Sequence, residues 1–205
     1  MRRPIRFAGI LALASFCGPL CSGQNPQVLI QTDLGNIKAE IFESRAPITA
    51  SNFLRYVDEN RYLGSTFYRV LRPDNQPETA FKLELVEGGL RLDDRAKRLP
   101  PIAHEPTNRT GVVHKDGALS LARGKPGSAD SEFFLCIGDQ AELDFGGRKN
   151  PDGQGYAAFG RVIEGMDIIR RIQQLPADGQ ILIQKVRIKN IVRIPPPESN
   201  RKRSK

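Results

Sequence analysis

The sequence predicts a mainly β fold, one closed antiparallel barrel with two short helices. Three observations carry this: many short apolar or aromatic runs bounded by turn formers, only two stretches with helical spacing, and no regular strand-helix alternation of the kind that builds a parallel sheet. Residues 27–41 form a hairpin, with Val28 and Ile30, then Ile37, Ala39 and Ile41, alternating on either side of Thr32-Asp33-Leu34-Gly35-Asn36. Residues 46–59 form a helix opened by Ala46-Pro47, with Ala50, Phe53, Leu54 and Val57 at helical spacing. Residues 66–71 and 81–86 are β runs separated by a loop with two prolines, and Gly88-Gly89 ends the second. Residues 91–116 are charged, proline-containing and aperiodic, and are expected to be a long surface excursion. Strands follow at 118–122, 132–137 and 156–163, with residues 144–155 a loop of turn formers expected to be solvated. A short helix is expected at 166–172, with Ile168, Ile169 and Ile172 apolar, and residues 181–194 return to β alternation.

The chain has 205 residues, of which 39% are hydrophobic and 26% charged, which excludes wholesale disorder. Its net charge of +8 suggests a polyanion binder, but the excess sits at the ends: three charges in residues 1–23 and a net three in 198–205, leaving +2 for residues 24–197. Residues 1–23 combine Arg2, Arg3 and Arg6 with an apolar stretch and small residues, the pattern of a secretory signal peptide cleaved after Gly23. A lipoprotein acylated at Cys21 is the alternative, against which the bulky Leu20 counts. Three parts are therefore expected: signal 1–23, a globular domain 24–194, and a basic tail 195–205 without fixed structure. The mature protein is expected to be periplasmic or secreted, monomeric and without a transmembrane helix. Its tail, lacking interleaved aromatics, suits anionic lipid or envelope polymers better than nucleic acid.

Of the three cysteines only Cys136 remains in the mature chain, within Phe133-Phe134-Leu135-Cys136-Ile137, where it reads as a small buried hydrophobe. The two histidines, His104 and His114, lie in the polar excursion outside any nucleophile motif, so a Ser-His-Asp triad is not expected. Neither a metal site nor a cofactor motif is found: the His and Cys do not cluster, residues 144–155 lack calcium-loop spacing, and Gly88-Gly89 and Gly146-Gly147 do not form a phosphate cradle. Asn108-Arg109-Thr110 matches a glycosylation acceptor, too short a pattern to carry weight. What remains is Arg69, inside Phe67-Tyr68-Arg69-Val70-Leu71. Taken alone it is a solvent-face arginine laying its stem on its neighbours.

Six segments give Arg69 another meaning. Phe67-Tyr68-Arg69-Val70, Val86-Glu87-Gly88-Gly89, Gly117-Ala118-Leu119-Ser120-Leu121-Ala122-Arg123, Ser131-Glu132-Phe133-Phe134-Leu135, Leu143-Asp144 and Phe159-Gly160-Arg161-Val162-Ile163-Glu164-Gly165-Met166 stand in the order and spacing of cyclophilins. From Gln27 to Ile194 the chain resembles a cyclophilin-type peptidyl-prolyl cis-trans isomerase of bacterial style. The resemblance implies an eight-stranded antiparallel barrel capped by two helices and an isomerase acting on proline-containing segments of exported proteins as they fold, without cofactor. It implies Arg69 as the catalytic donor, and Phe67, Leu85, Phe134 and Leu143 as the wall of a proline pocket. Ala122, Arg123 and Glu132 match the stretch that holds the peptide before the proline, and Tyr156 matches a pocket-edge histidine. For Phe134 and Leu85, barrel core is the competing reading.

Several residues depart from the family pattern. Glu87 and Glu132 stand where Gln is usual, Glu84 where a pocket phenylalanine is common, Tyr68 in place of a histidine, and Glu142 where some members carry tryptophan. An ionised Glu cannot donate a hydrogen bond, so Glu87 is expected to pair with Arg69, either holding it in place or tying it up. Weak sensitivity to the family's cyclic peptide inhibitor follows. The alternative function is a weakly active or inactive cyclophilin-fold module that binds proline-containing segments as a chaperone or scaffold.

Overall fold

The structure, a computed structural model, describes residues 24–78, 80–91 and 95–195. The predicted signal and nearly all of the basic tail lie outside them. In chain order the elements are β1 (Gln27–Thr32), β2 (Gly35–Ile41), α1 (Pro47–Asp58), β3 (Thr66–Leu71), β4 (Leu85–Gly89), α2 (Thr107–Thr110), β5 (Ala118–Leu121), β6 (Phe133–Cys136), β7 (Ala157–Glu164), α3 (Met166–Gln173), β8 (Ala177–Asp178) and β9 (Ile181–Ile194). The strands hydrogen-bond in the order β1-β2-β7-β5-β6-β4-β3-β9, and β1 pairs again with β9 to close the ring. Closure runs from Gln27 opposite Ile194 to Thr32 opposite Ile188. The ring therefore has eight antiparallel strands, as expected, with two-residue β8 added as a hairpin partner of β9. Closing the sheet leaves no edge strand among the eight.

Side-chain alternation divides the apolar residues into two sets. Phe133 and Leu135 point into the barrel, where Phe53 of α1 lies with its ring centroid 5.0–5.5 Å from those of Tyr62, Phe133 and Phe159. Phe134 and Cys136, one residue out of phase, join a separate cluster with Leu71, Leu83, Leu85 and Leu143 on the barrel's outer surface. Cys136 is fully buried there, and burial pushes its thiol well above the ordinary range, in keeping with its reading as a small hydrophobe.

The excursion at 91–116 is not simply surface. Ala46 caps α1 without a side-chain bond, and Glu105, 2% exposed, supplies the missing acceptor. Its carboxylate takes the Thr49 backbone N–H at 2.6 Å and the Thr49 hydroxyl at 2.7 Å, satisfying a free donor at the positive end of the helix. The Tyr56 hydroxyl likewise accepts the Leu99 N–H at 2.7 Å. The excursion also contains α2, a one-turn helix beyond the two expected. Aperiodicity hid this because the stretch is held by side chains of α1 and not by its own repeat.

The second β run also differs, starting at Leu85 and not at residue 81. Before it, the Gln76 side-chain amide stands in for a neighbouring strand, accepting from Leu83 N–H at 3.1 Å and donating to Leu83 C=O at 2.7 Å. Substituting Phe53→Ala would remove the central ring of the inner cluster. It is expected to cost about 3–5 kcal/mol in urea unfolding, and a loss well below 1 kcal/mol would contradict this packing.

Candidate active site

An irregularity in β3 aims the site residues. Phe67 pairs with Gly88 and Arg69 with Glu87, so two steps on β3 face one on β4, and Tyr68 is the extra residue of a β-bulge. Strict alternation would place Phe67 and Arg69 on one face. The bulge resets the phase: Phe67 and Val70 turn into the core, while Arg69 and Leu71 face outward. Phe67 is accordingly fully buried, its ring 5.8 Å from that of Phe133, and does not line the pocket as expected. It also lies so close to β4 that a Cβ on Gly88 would come within 2.6 Å of its ring, so only glycine fits there.

The outward face carries a pocket of about 80 Å³ lined by Arg69, Leu71, Leu83, Leu85, Glu87, Ala122, Arg123, Phe134, Leu143, Lys149 and Tyr156. Of the expected residues, Arg69, Leu85, Glu87, Ala122, Arg123, Phe134, Leu143 and Tyr156 meet here. Leu85 and Phe134 therefore belong to the outer cluster and not to the barrel core. Leu71, Leu83 and Lys149 are lining residues that sequence reasoning missed. Leu83 takes the wall position that was assigned to Glu84, whose carboxylate instead accepts from Gln173 of α3 at 3.2 Å.

Arg69 is held from two sides. Its Nη1 donates to Glu87 at 2.9 Å, and its Nε and Nη2 donate to the Gln180 side-chain oxygen at 3.1 and 2.6 Å. Gln180 sits in the turn between β8 and β9, where no local signal marks it. A guanidinium has five N–H groups, so the three bonds leave two for another partner. Glu87 thus holds Arg69 without exhausting it.

Beside this pair, the Tyr68 hydroxyl oxygen lies 3.2 Å from Glu87 and 2.7 Å from Glu132. One O–H can donate to only one of them, so both contacts are satisfied when one carboxyl carries a proton and donates back to the hydroxyl. Burial raises the Glu132 carboxyl above its ordinary value, against the pull of donors from Tyr68, the Arg91 backbone and Ser131. A protonated Glu132 offers a donor beside an acceptor, as the usual Gln does, though with one O–H in place of two N–H groups. Glu132 itself stands next to the pocket and is not among its lining residues.

Arg123 lines the pocket and also ties down the loop beside it. Its side chain, 1% exposed, donates to the carbonyls of Gly155 and Gly124 and grips Asp152 at 2.7 and 2.9 Å, holding that carboxyl down to about 2. It also lies 5.4 Å from the Tyr156 ring centroid. The 144–155 loop, solvated along much of its length as expected, is therefore also fastened to the site.

Behind Phe134 lies a hydrogen-bonded chain of Ser120, His114 and Asp144. Asp144 Oδ1 is 2.7 Å from His114 Nδ1, and Ser120 Oγ is 2.9 Å from His114 Nε2. An acceptor-only carboxylate assigns the proton to Nδ1, leaving Nε2 to accept from Ser120. His114 is 1% exposed and stacks on Phe134, and Ser120 is fully buried. His114 thus turns its side chain from the loop before β5 into the interior, and the serine, though bonded as in a triad, is out of reach of any substrate. Among the described residues no three His, Cys, Asp or Glu side chains converge as a metal would require.

A raised folded-state pKa means that Glu132 contributes stability fully below the ordinary carboxylate value and loses it as the pH rises through the folded value. Glu132→Gln is therefore expected to raise the thermal midpoint at pH 8, with the gain shrinking toward pH 4. A gain that is independent of pH would contradict the shared-proton arrangement.

Residues 27–193 match the family model described as cyclophilin type peptidyl-prolyl cis-trans isomerase/CLD. The chain is 32% identical over 185 residues to peptidyl-prolyl cis-trans isomerase A of Dickeya dadantii, covering 89% of this chain and 90% of the relative. It is 35% identical over 164 residues to a peptidyl-prolyl cis-trans isomerase of Acinetobacter baylyi, covering 79% of each. A cyclophilin type isomerase of Cryptosporidium parvum, crystallised in the presence of the dipeptide Ala-Pro, superposes with a TM-score of 0.64 at 23% identity, covering 81% of this chain and 97% of that one.

Proposed function

The chain belongs to the cyclophilin-type peptidyl-prolyl cis-trans isomerase family and is a peptidyl-prolyl isomerase; from that premise we propose that it serves proteins exported from the cell, with Arg69 as its catalytic donor. The carrying observation is the clamped guanidinium with two free N–H groups beside a pocket walled in part by Leu71, Leu83, Leu85, Phe134 and Leu143.

Isomerisation breaks no bond. Twisting the X-Pro amide forfeits resonance at a barrier of about 18–20 kcal/mol, and uncatalysed exchange takes tens to hundreds of seconds. In this reading Leu85, Phe134 and Leu143 seat the proline ring, with Leu71 and Leu83 completing the wall and Tyr156 closing the edge. Ala122 lies along the peptide leading to the ring, and Glu132, through Tyr68, holds Glu87. The ring stays fixed while the acyl side turns. A donor from Arg69 favours the pyramidal nitrogen, which can accept a hydrogen bond only once resonance is lost, so the bond is made in the transition state and not in the ground state. Because Glu87 and Gln180 preset the guanidinium, little reorganisation is needed at that moment.

The signal-like residues 1–23 support this reading, in which the enzyme works in the periplasm or outside the cell. The basic tail suits an anionic envelope surface. The enzyme acts as a monomer on proline-containing segments of unfolded clients. Mass measurement of the exported protein should find Gln24 as its first residue, and retention of residues 1–23 would overturn cleavage after Gly23.

In a proline-isomerisation assay, Arg69→Ala is expected to lower kcat/KM by about 10²-fold, as removal of a preorganised donor does. Gln180→Leu, which frees the guanidinium on one side, should give a smaller loss carried mainly by kcat. Unchanged turnover in Arg69→Ala would refute its assignment.

A further inference from the structure

Three cations line the pocket, and two are already matched: Arg69 by Glu87 and Arg123 by Asp152. Lys149 is not. Among the described residues no carboxylate lies within ion-pair distance of its ammonium, although the side chain is half-buried. Burial and the Arg69 charge press its pKa below the ordinary value, while Glu87 draws it back up, which places the ammonium in the electrostatic reach of the site's central pair.

Nor is Lys149 a chance visitor from a loose loop. The turn before it folds onto Glu142: the backbone N–H of Lys149 donates to Glu142 C=O at 3.1 Å, and the Arg148 backbone and Nε donate to the Glu142 carboxylate at 3.0 and 2.9 Å. A Cβ on Gly147 would come within 2.5 Å of the Glu142 carbonyl oxygen, so the turn can press this close only with glycine. Beyond Lys149, Asp152 and Gly155 are tied to Arg123. The loop is anchored on both sides of the lysine.

A fixed, partly desolvated cation with no counter-charge is costly when the site is empty and is relieved by an anion brought by the ligand. We propose that Lys149 is a specificity-determining residue, selecting proline segments in which a residue flanking the proline carries a carboxylate. The inference rests on the pocket being the seat of the proline ring. Glu87 cannot fill the role of that carboxylate, since its oxygens are held by Arg69 and Tyr68.

The test is isomerisation of matched peptides by the mature chain, with Glu, Gln or Lys placed just before or just after the proline. At one of the two flanks the Glu peptide is expected to show kcat/KM about fivefold above its Gln counterpart, the size of a partly screened ion pair. The difference should lie in KM, diminish at high salt, and be reversed in sign for Lys. In Lys149→Gln the Glu-to-Gln ratio should fall to one, and in Lys149→Arg it should persist; a ratio taken within one variant is insensitive to loss of folded protein. A ratio of one at both flanks in the unsubstituted enzyme, or a ratio that survives Lys149→Gln, overturns the inference. If Gln peptides are turned over in an Arg69-dependent manner while the ratio is one, only the role of Lys149 fails. If turnover does not depend on Arg69, the pocket assignment fails and this inference with it.

Discussion

One inserted residue decides which side of the barrel does chemistry. Without the bulge at Tyr68, a period of two would put Phe67 and Arg69 on the same face, forcing either a guanidinium into the aromatic core or a phenylalanine into water. With it, Phe67 completes the inner cluster and Arg69 meets Glu87 on the outside. Gly88 answers the bulge from the opposite strand, because the displaced ring occupies the space a side chain would need. A bulge raises local twist and interrupts the ladder, and here that interruption also lets Gln180, from the turn preceding β9, reach the arginine.

The outer apolar cluster matters as much as the inner one. A barrel with only its interior filled would offer a smooth polar surface. Here β6 contributes Phe134 and Cys136 outward, and loop residues Leu83 and Leu143 cover them, making a second small core that is left open at its centre. The pocket is thus a gap in a packed layer and is largely preformed. Apart from the Lys149 ammonium, the charged side chains that line it are already hydrogen-bonded, so most of the donors and acceptors facing a ligand are the leftovers of a satisfied network.

Much of this is legible in the sequence. Alternation locates β9 and the first hairpin, because those strands are half-buried and the period shows directly. The arginine was found through the resemblance, not through periodicity, which gave it an ordinary surface role. Phe67, which the resemblance puts in the pocket wall, lies in the core because the bulge at Tyr68 turns it inward, and the wall position expected at Glu84 is taken by Leu83, one residue earlier. Lys149 and Gln180 carried no local signal whatever. Both sit in turns whose composition announces only that the chain reverses, and their contacts with Arg69 or its surroundings join positions far apart in sequence. The excursion likewise looked formless because its order is borrowed from α1 through Glu105 and Leu99.

The chain of Ser120, His114 and Asp144 carries a lesson about what defines an enzyme's reactive group. By distances and proton sense alone, these three side chains would be accepted by any template built for serine hydrolases. Yet the oxygen is sealed behind Phe134, where neither an acyl donor nor hydrolytic water can approach it. The same bonding that elsewhere sharpens a nucleophile here serves as masonry, bracing the back of the wall. Reactivity belongs to an atom's access route as much as to its neighbours.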